Sequence, residues 1–168
     1  YFVRPGTALD REAKIRGNSV YLVDRVIPML PEKLSNGVCS LKPDVDRLTF
    51  AAILTFNAHG VPKGARFTPA VIRSARRYTY EEAYERLQLT PDQIAGLPKH
   101  EASFAKHLHE AWRLAKTLRD RRFREGALDL DFVETKVILD QDGVPVEVRR
   151  VQNDISHQLI EECMLAAN

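Results

Sequence analysis

Arg47-Leu48-Thr49-Phe50-Ala51-Ala52-Ile53-Leu54-Thr55-Phe56 is the stretch on which the fold turns. Its aromatic, β-branched and aliphatic residues read as a strand, and Asn57-Ala58-His59-Gly60 follows as a turn. Gly64 to Ser74 reads as the return strand, so the segment predicts a hairpin. A second hairpin is predicted from Phe132 to Leu139 and Val144 to Val151, across Asp140-Gln141-Asp142-Gly143, an Asp-Gly turn. Helical patterns fall between and around the hairpins, and no strand–helix–strand period repeats. The prediction is therefore an α+β fold, a mixed or antiparallel sheet with hairpins and interspersed helices.

The helix starts are written in local capping chemistry. Thr7 with Asp10 begins a helix through Arg16 that Gly17 ends. Thr79 with Glu82 makes a capping box, and Thr90 precedes a Pro at the first helical position, Pro91. The longest helix spans His100 to Arg124 and places Phe104, Leu108, Ala111, Ala115 and Leu118 on one face, with Gly126 as its stop. Ser19 to Val23 and Val26 to Leu30 read as short extended pieces, the second confined to an edge by Pro28 and Pro31. A short turn of helix closes at Ser35-Asn36-Gly37, and a last helix runs from about Asn153.

Composition narrows the class. With 44% hydrophobic residues and a formal charge of only +2, the 168-residue chain is not disordered. No apolar run approaches the roughly 18 residues of a membrane span. Cys39 and Cys163 fit no metal-binding spacing and no disulfide scaffold, so no disulfide partner is expected and a reducing cytoplasm is the default. The ends read as cuts: Tyr1-Phe2-Val3 is strand-forming without an initiator Met, and the close at Met164-Leu165-Ala166-Ala167-Asn168 is apolar and helical. Either residues 1–168 are one piece of a larger domain, or both termini dock into their own core.

The small net charge conceals a gradient of +8 over residues 1–126 and −6 over 127–168. Lys63, Arg66, Arg73, Arg76 and Arg77 form an acid-free basic stretch beside Tyr78 and Tyr80. Arg113, Lys116, Arg119, Arg121, Arg122 and Arg124 crowd the end of the long helix. Phosphates attract such charge and bases stack on such rings, so a nucleic-acid surface is one reading. The other, for the helix end, is a solvated face that complements the macrodipole. His107 and His109 point to different faces, and His100-Glu101 lacks a second His at zincin spacing. Asp129, Asp131 and Glu134 suit either a hard cation or a solvated strand edge. There is no Gly-rich phosphate loop and no nucleophile elbow. From residue types alone the chain is a basic, aromatic-bearing domain that meets nucleic acid, without a catalytic centre.

One run is more specific. Tyr1-Phe2-Val3-Arg4-Pro5-Gly6-Thr7 leads through Leu9-Asp10-Arg11-Glu12-Ala13 to Gly17-Asn18-Ser19-Val20-Tyr21, then Val26-Ile27-Pro28-Met29-Leu30-Pro31 and Leu34-Ser35-Asn36-Gly37-Val38-Cys39-Ser40-Leu41. With Asp46-Arg47-Leu48, Tyr78-Thr79-Tyr80-Glu81-Glu82, Gly126-Ala127-Leu128-Asp129-Leu130, Asn153-Asp154, His157 and Leu159 to Asn168, it resembles the RNB catalytic domain of the ribonuclease R / ribonuclease II family along the whole chain. The resemblance implies the central part, 1–168, of one such domain. Its expected parent is a processive 3′-to-5′ exoribonuclease that hydrolyses single-stranded RNA to nucleoside 5′-monophosphates in the cytoplasm. It also implies Mg²⁺, which would activate water and stabilise the leaving oxygen. The family's aspartate ligands fall upstream of Tyr1 and its catalytic arginine downstream of Asn168, so no catalytic or metal residue is expected in this span, and the segment alone is expected to be inactive.

The RNA-binding residues the resemblance implies are Tyr21, which packs on the 3′-terminal nucleotides, and Tyr80 and Glu162, which recognise ribose. Read without it, Tyr21 is a strand core residue, Tyr80 a helix-start aromatic and Glu162 an exposed helix residue. Leu130 stands where the family has a base-stacking phenylalanine and offers no π-face. That departure keeps open an alternative, a catalytically inactive RNB-like RNA-binding or scaffolding module.

Overall fold

The computed structural model describes residues 1–128, 134–151 and 153–168. They form two compact units. The first holds 1–51, 69–77 and 134–151; the second holds 52–68 together with the described residues of 78–128 and 153–168.

In the first unit the helix α1, Ala8–Arg16, starts where Thr7 accepts a hydrogen bond from the Asp10 backbone N–H, and Gly17 caps its end. The strands β1, Val20–Tyr21, and β2, Val26–Ile27, pair antiparallel with Val20 opposite Ile27 and Tyr21 opposite Val26. The Ser19 hydroxyl accepts from the Met29 N–H at 3.0 Å, and Arg16 donates to the Pro28 carbonyl at 3.1 Å, so the proline-rich segment is tied to α1 without a longer ladder. A wide helical turn, Lys33–Val38, departs from helical angles at Gly37. Arg47 reaches back to the Ser40 carbonyl at 2.8 Å and fixes this turn to the next strand.

That strand, β3 (Asp46–Phe56), pairs with β4 (Pro62–Arg73) as the predicted hairpin. β4 begins two residues before the expected Gly64, because Pro is tolerated at the first residue of a strand, where no ladder N–H is needed. Arg73 and Asp46 pair at 2.7 Å across the hairpin base, and the guanidinium hydrogen bond holds the Asp46 carboxyl below the usual range. Arg73 of the basic stretch is thereby committed within the fold. β5 (Glu134–Leu139) and β6 (Pro145–Val151) form the second hairpin, with Val137 opposite Val148 and a bulge at Ile138/Leu139. Asp140 accepts from the N–H groups of Asp142 and Val144, each at 2.9 Å, which is why the Asp-Gly sequence turns here. Phe132 lies outside the described residues.

The second unit is helical around the β3–β4 tip. α2 (Tyr80–Leu87) and α3 (Pro91–Ala95) both start in capping boxes, Thr79 with Glu82 and Thr90 with Gln93. α4 (Lys99–Arg124) packs against α2, α3 and α5 (Ile155–Ala167). The core is Leu87, Ala115 and Leu159, with Leu108, Ala111, Trp112 and Ile155 against it. Leu108, Ala111 and Ala115 of the expected face reach the core, joined by Trp112, while near the start of α4 Phe104 is half-buried and Ala105 fully buried. Small residues at 105 and 115 let the neighbouring elements approach closely. The stop at Gly126 (φ 101°) is a Schellman turn, in which the N–H groups of Gly126 and Ala127 donate to the carbonyls of Phe123 and Arg122. These elements confirm the α+β class, with mixed helices and small antiparallel sheets.

The hairpin tip meets α4 at Gly60, whose φ is +72° and whose carbonyl accepts from Arg121 at 3.0 Å. A Cβ there would lie 3.2 Å from the Thr117 methyl and 3.3 Å from Leu118 Cδ2. Gly60→Ala is expected to lose about 1–2 kcal/mol, from left-handed strain plus overpacking. The check is hydrogen exchange at Thr117 and Leu118, which should quicken roughly tenfold; unchanged rates would mean that the contact is not tight.

Candidate nucleic-acid interface

Two aromatic positions and one carboxylate were expected to meet RNA, and the fold treats each differently. Tyr21 sits in the two-residue β1 and is 78% exposed, so it is not a strand core residue; its ring is open to a ligand. Tyr80 occupies the first helical position of α2, where the Thr79 capping box sets the chain direction. Its ring stacks on the His157 imidazole of α5 at 3.9 Å between centroids and 13° between planes. The residue nevertheless stays 46% exposed.

Glu162 is not the exposed helix residue that spacing suggests. Its side chain is 3% exposed, on the inward face of α5 with Ser156 and Leu159. Arg122 of α4 holds it through Nη2 at 2.5 Å and Nε at 3.4 Å, and also reaches Glu161 at 3.3 Å. A buried carboxylate needs such a partner, and the planar guanidinium supplies two donors to it. His157 and Glu162 are five residues apart on α5, about 7.5 Å along its axis. One helix thus carries both the stacked ring and the paired carboxylate.

Glu162 and Arg122 line an open cleft of about 650 Å³ in the second unit, with Lys63, Phe56 and Phe67 from the hairpin and Arg121 from α4. Lys63 brings part of the basic stretch to this cleft. The basic end of α4 is otherwise largely engaged within the protein. Lys116 pairs with Asp120 and Arg121 with Glu125, each at 2.7 Å, and Arg119 lies over the Phe123 ring at 4.4 Å. Those contacts favour the solvated-face reading for most of that cluster.

Sequence reasoning missed Arg122 as a partner of Glu162 and His157 as the support for Tyr80. The first pairing joins residues 40 apart and leaves no local signal. The second joins α2 to α5 and leaves none either; only the Asp154–His157 contact that holds the imidazole is local. Asp129, Leu130 and Asp131 lie outside the described residues, as does the Glu134 side chain. Among the described residues no three His, Cys, Asp or Glu side chains converge on a metal position. Among them, too, no helix is long and apolar enough to cross a membrane.

The RNB domain model matches residues 1–168. The chain belongs to the RNB domain family. Ribonuclease R of Escherichia coli K12 is 42% identical over 168 residues, covering 100% of this chain and 20% of the relative. Two solved structures of Mycoplasma genitalium RNase R are also similar. The one in complex with double-stranded RNA has a TM-score of 0.87 at 29% identity, over 99% of this chain and 29% of the other. The one in complex with ribose-methylated single-stranded RNA has a TM-score of 0.84 at 28% identity, over 99% of this chain and 25% of the other. The RNB chain described here spans about a fifth of the length of the curated relatives it matches.

Proposed function

We propose that residues 1–168 are the central part of an RNB catalytic domain in a processive 3′-to-5′ exoribonuclease, one that hydrolyses single-stranded RNA to nucleoside 5′-monophosphates with Mg²⁺. The observation that carries this reading is the whole-chain RNB match together with 42% identity to a ribonuclease R. RNA as the partner is supported by the two RNase R relatives solved with RNA. Within the chain, the exposed Tyr21 ring stacks on the 3′-terminal nucleotides. The open face of Tyr80 and the Glu162 carboxylate meet ribose, where an acceptor for the 2′-hydroxyl favours RNA over DNA.

The test uses the full-length protein and a 5′-labelled single-stranded RNA. The expected result is Mg²⁺-dependent shortening from the 3′ end without distributive intermediates, and release of nucleoside 5′-monophosphates. The matched deoxyribo-oligonucleotide should survive. Residues 1–168 expressed alone should bind RNA weakly and cut nothing. Internal cleavage, or robust degradation by the 168-residue chain itself, would overturn this assignment; an intact full-length protein that binds RNA without degrading it would favour the scaffolding alternative.

A further inference from the structure

Tyr80 does not stand alone on α2. Its ring lies nearly parallel to the His157 imidazole at van der Waals spacing, so one face is covered while 46% of the residue stays exposed. The imidazole is itself fixed. Its Nδ1 lies 3.1 Å from Asp154 Oδ1, and an ionised carboxylate only accepts, so Nδ1 carries the hydrogen. The same Asp154 oxygen accepts from the Ser156 backbone N–H at 2.8 Å and the Ser156 hydroxyl at 2.6 Å. Three donors on one oxygen leave the carboxylate little freedom to turn, and through it the imidazole plane. Burial alone would raise the Asp154 carboxyl, but the hydrogen bonds from Ser156 and His157 outweigh it and hold the group ionised below the usual range. Asp154 is also the N-cap of α5, so the arrangement is anchored in the helix start.

We infer that His157 is a positioning residue for ribose recognition: clamped by Asp154, its imidazole backs the Tyr80 ring and fixes the angle at which the ring's open face meets the sugar at the RNA 3′ end. The inference rests on the proposed contact between Tyr80 and RNA and adds to it the element that sets the contact's geometry. A phenol ring on a first-turn residue, 46% exposed, would otherwise swing about χ1 and spend time out of reach. Stacking selects one rotamer before RNA arrives, which lowers the entropy lost on binding.

The test is a mutant cycle in the full-length protein. The quantity read is the ratio of kcat/KM on an RNA to kcat/KM on the same RNA with 3′-terminal deoxynucleotides. His157→Gln keeps a donor for Asp154 and removes the ring; the ratio should fall roughly fivefold, as expected for a lost aromatic pair. His157→Phe restores a flat ring but not the hydrogen bond to Asp154, so it should recover part but not all of that loss. In a Tyr80→Ala background, His157→Gln should change the ratio by less than about twofold, because the ring it positions is gone. The inference is overturned if the His157→Gln effect persists in that background, or if His157→Phe, which lacks the hydrogen bond to Asp154, recovers the ratio in full. If Tyr80→Ala alone leaves the ratio untouched, the contact between Tyr80 and ribose is wrong, and the support assigned to His157 falls with it. A fall caused by general loosening of α5 would not vanish with Tyr80, so the cycle separates positioning from stability.

Discussion

Arg122→Met is expected to speed hydrogen exchange at the α5 amides by about two orders of magnitude, which corresponds to roughly 3 kcal/mol of local stability. The size follows from what remains behind. Glu162 is 3% exposed and takes its short contact from Arg122 at 2.5 Å. Met matches the aliphatic stem and offers no donor, so the carboxylate would be left buried without its cation. Breaking such a pair from one side usually loses about 3–5 kcal/mol. Because the Arg122 side chain is itself 31% exposed, water can reach part of the vacated space, and the lower end of that range applies. Arg122→Lys keeps the charge but gives up the fork that also reaches Glu161, and should fall between the two. The decisive arm is the double change Arg122→Met with Glu162→Gln. Removing both charges should recover more than half of the loss, since the penalty comes from the orphaned carboxylate and not from the missing contact. Unchanged exchange in Arg122→Met, or no recovery in the double variant, would show that the pair does not hold α4 to α5.

The same pair shows where sequence reading stopped. Thr79 with Glu82 and Thr90 with Gln93 lie three residues apart, and a capping box is complete within that span; the structure has both. The turns at Asp140–Gly143 and the stop at Gly126 are equally local and equally legible. The inward stripe of α4 needs Trp112 beside Leu108, Ala111 and Ala115, because which flanking residues reach the core depends on how closely the neighbouring elements approach, a tertiary quantity. Glu162 was the hardest position. Its helix period permits burial, yet burial of a carboxylate is reasonable only once a cation from a distant element is known to meet it. Arg122 sits in a run of basic residues that looked alike in sequence: the structure gives Lys116 to Asp120, Arg121 to Glu125 and Gly60, and Arg122 to α5. The family resemblance named Glu162 without saying what holds it. Net charge predicted none of this, because the basic 1–126 and acidic 127–168 segments meet through specific pairs such as Arg122 with Glu162.

Tyr21→Ala should produce the opposite pattern, a large loss in RNA handling with an unchanged fold. The side chain is 78% exposed and belongs to a strand of two residues whose pairing with β2 runs through the backbone. Truncating an exposed side chain away from caps and cores typically shifts stability by no more than about 0.5 kcal/mol. Stacking of one base on an aromatic ring is worth about 1–3 kcal/mol by alanine substitution, so the full-length Tyr21→Ala variant should hold an RNA 3′ end roughly 5- to 150-fold more weakly. The measurement is fluorescence anisotropy of a short 5′-labelled RNA in the absence of divalent metal, where turnover does not intrude. Tyr21→Phe keeps the ring and loses only the hydroxyl, so its affinity should stay close to the parent's. The slope of log Kd against log salt should be the same in all three proteins, because the number of neutralised phosphates has not changed. An affinity for Tyr21→Ala equal to the parent's would remove Tyr21 from the RNA path. A Tyr21→Phe variant as weak as Tyr21→Ala would mean that the hydroxyl, not the ring, makes the contact. A shallower salt slope in Tyr21→Ala would mean that the residue acts by aligning cations along the strand, a role that its isolated position on β1 does not otherwise suggest.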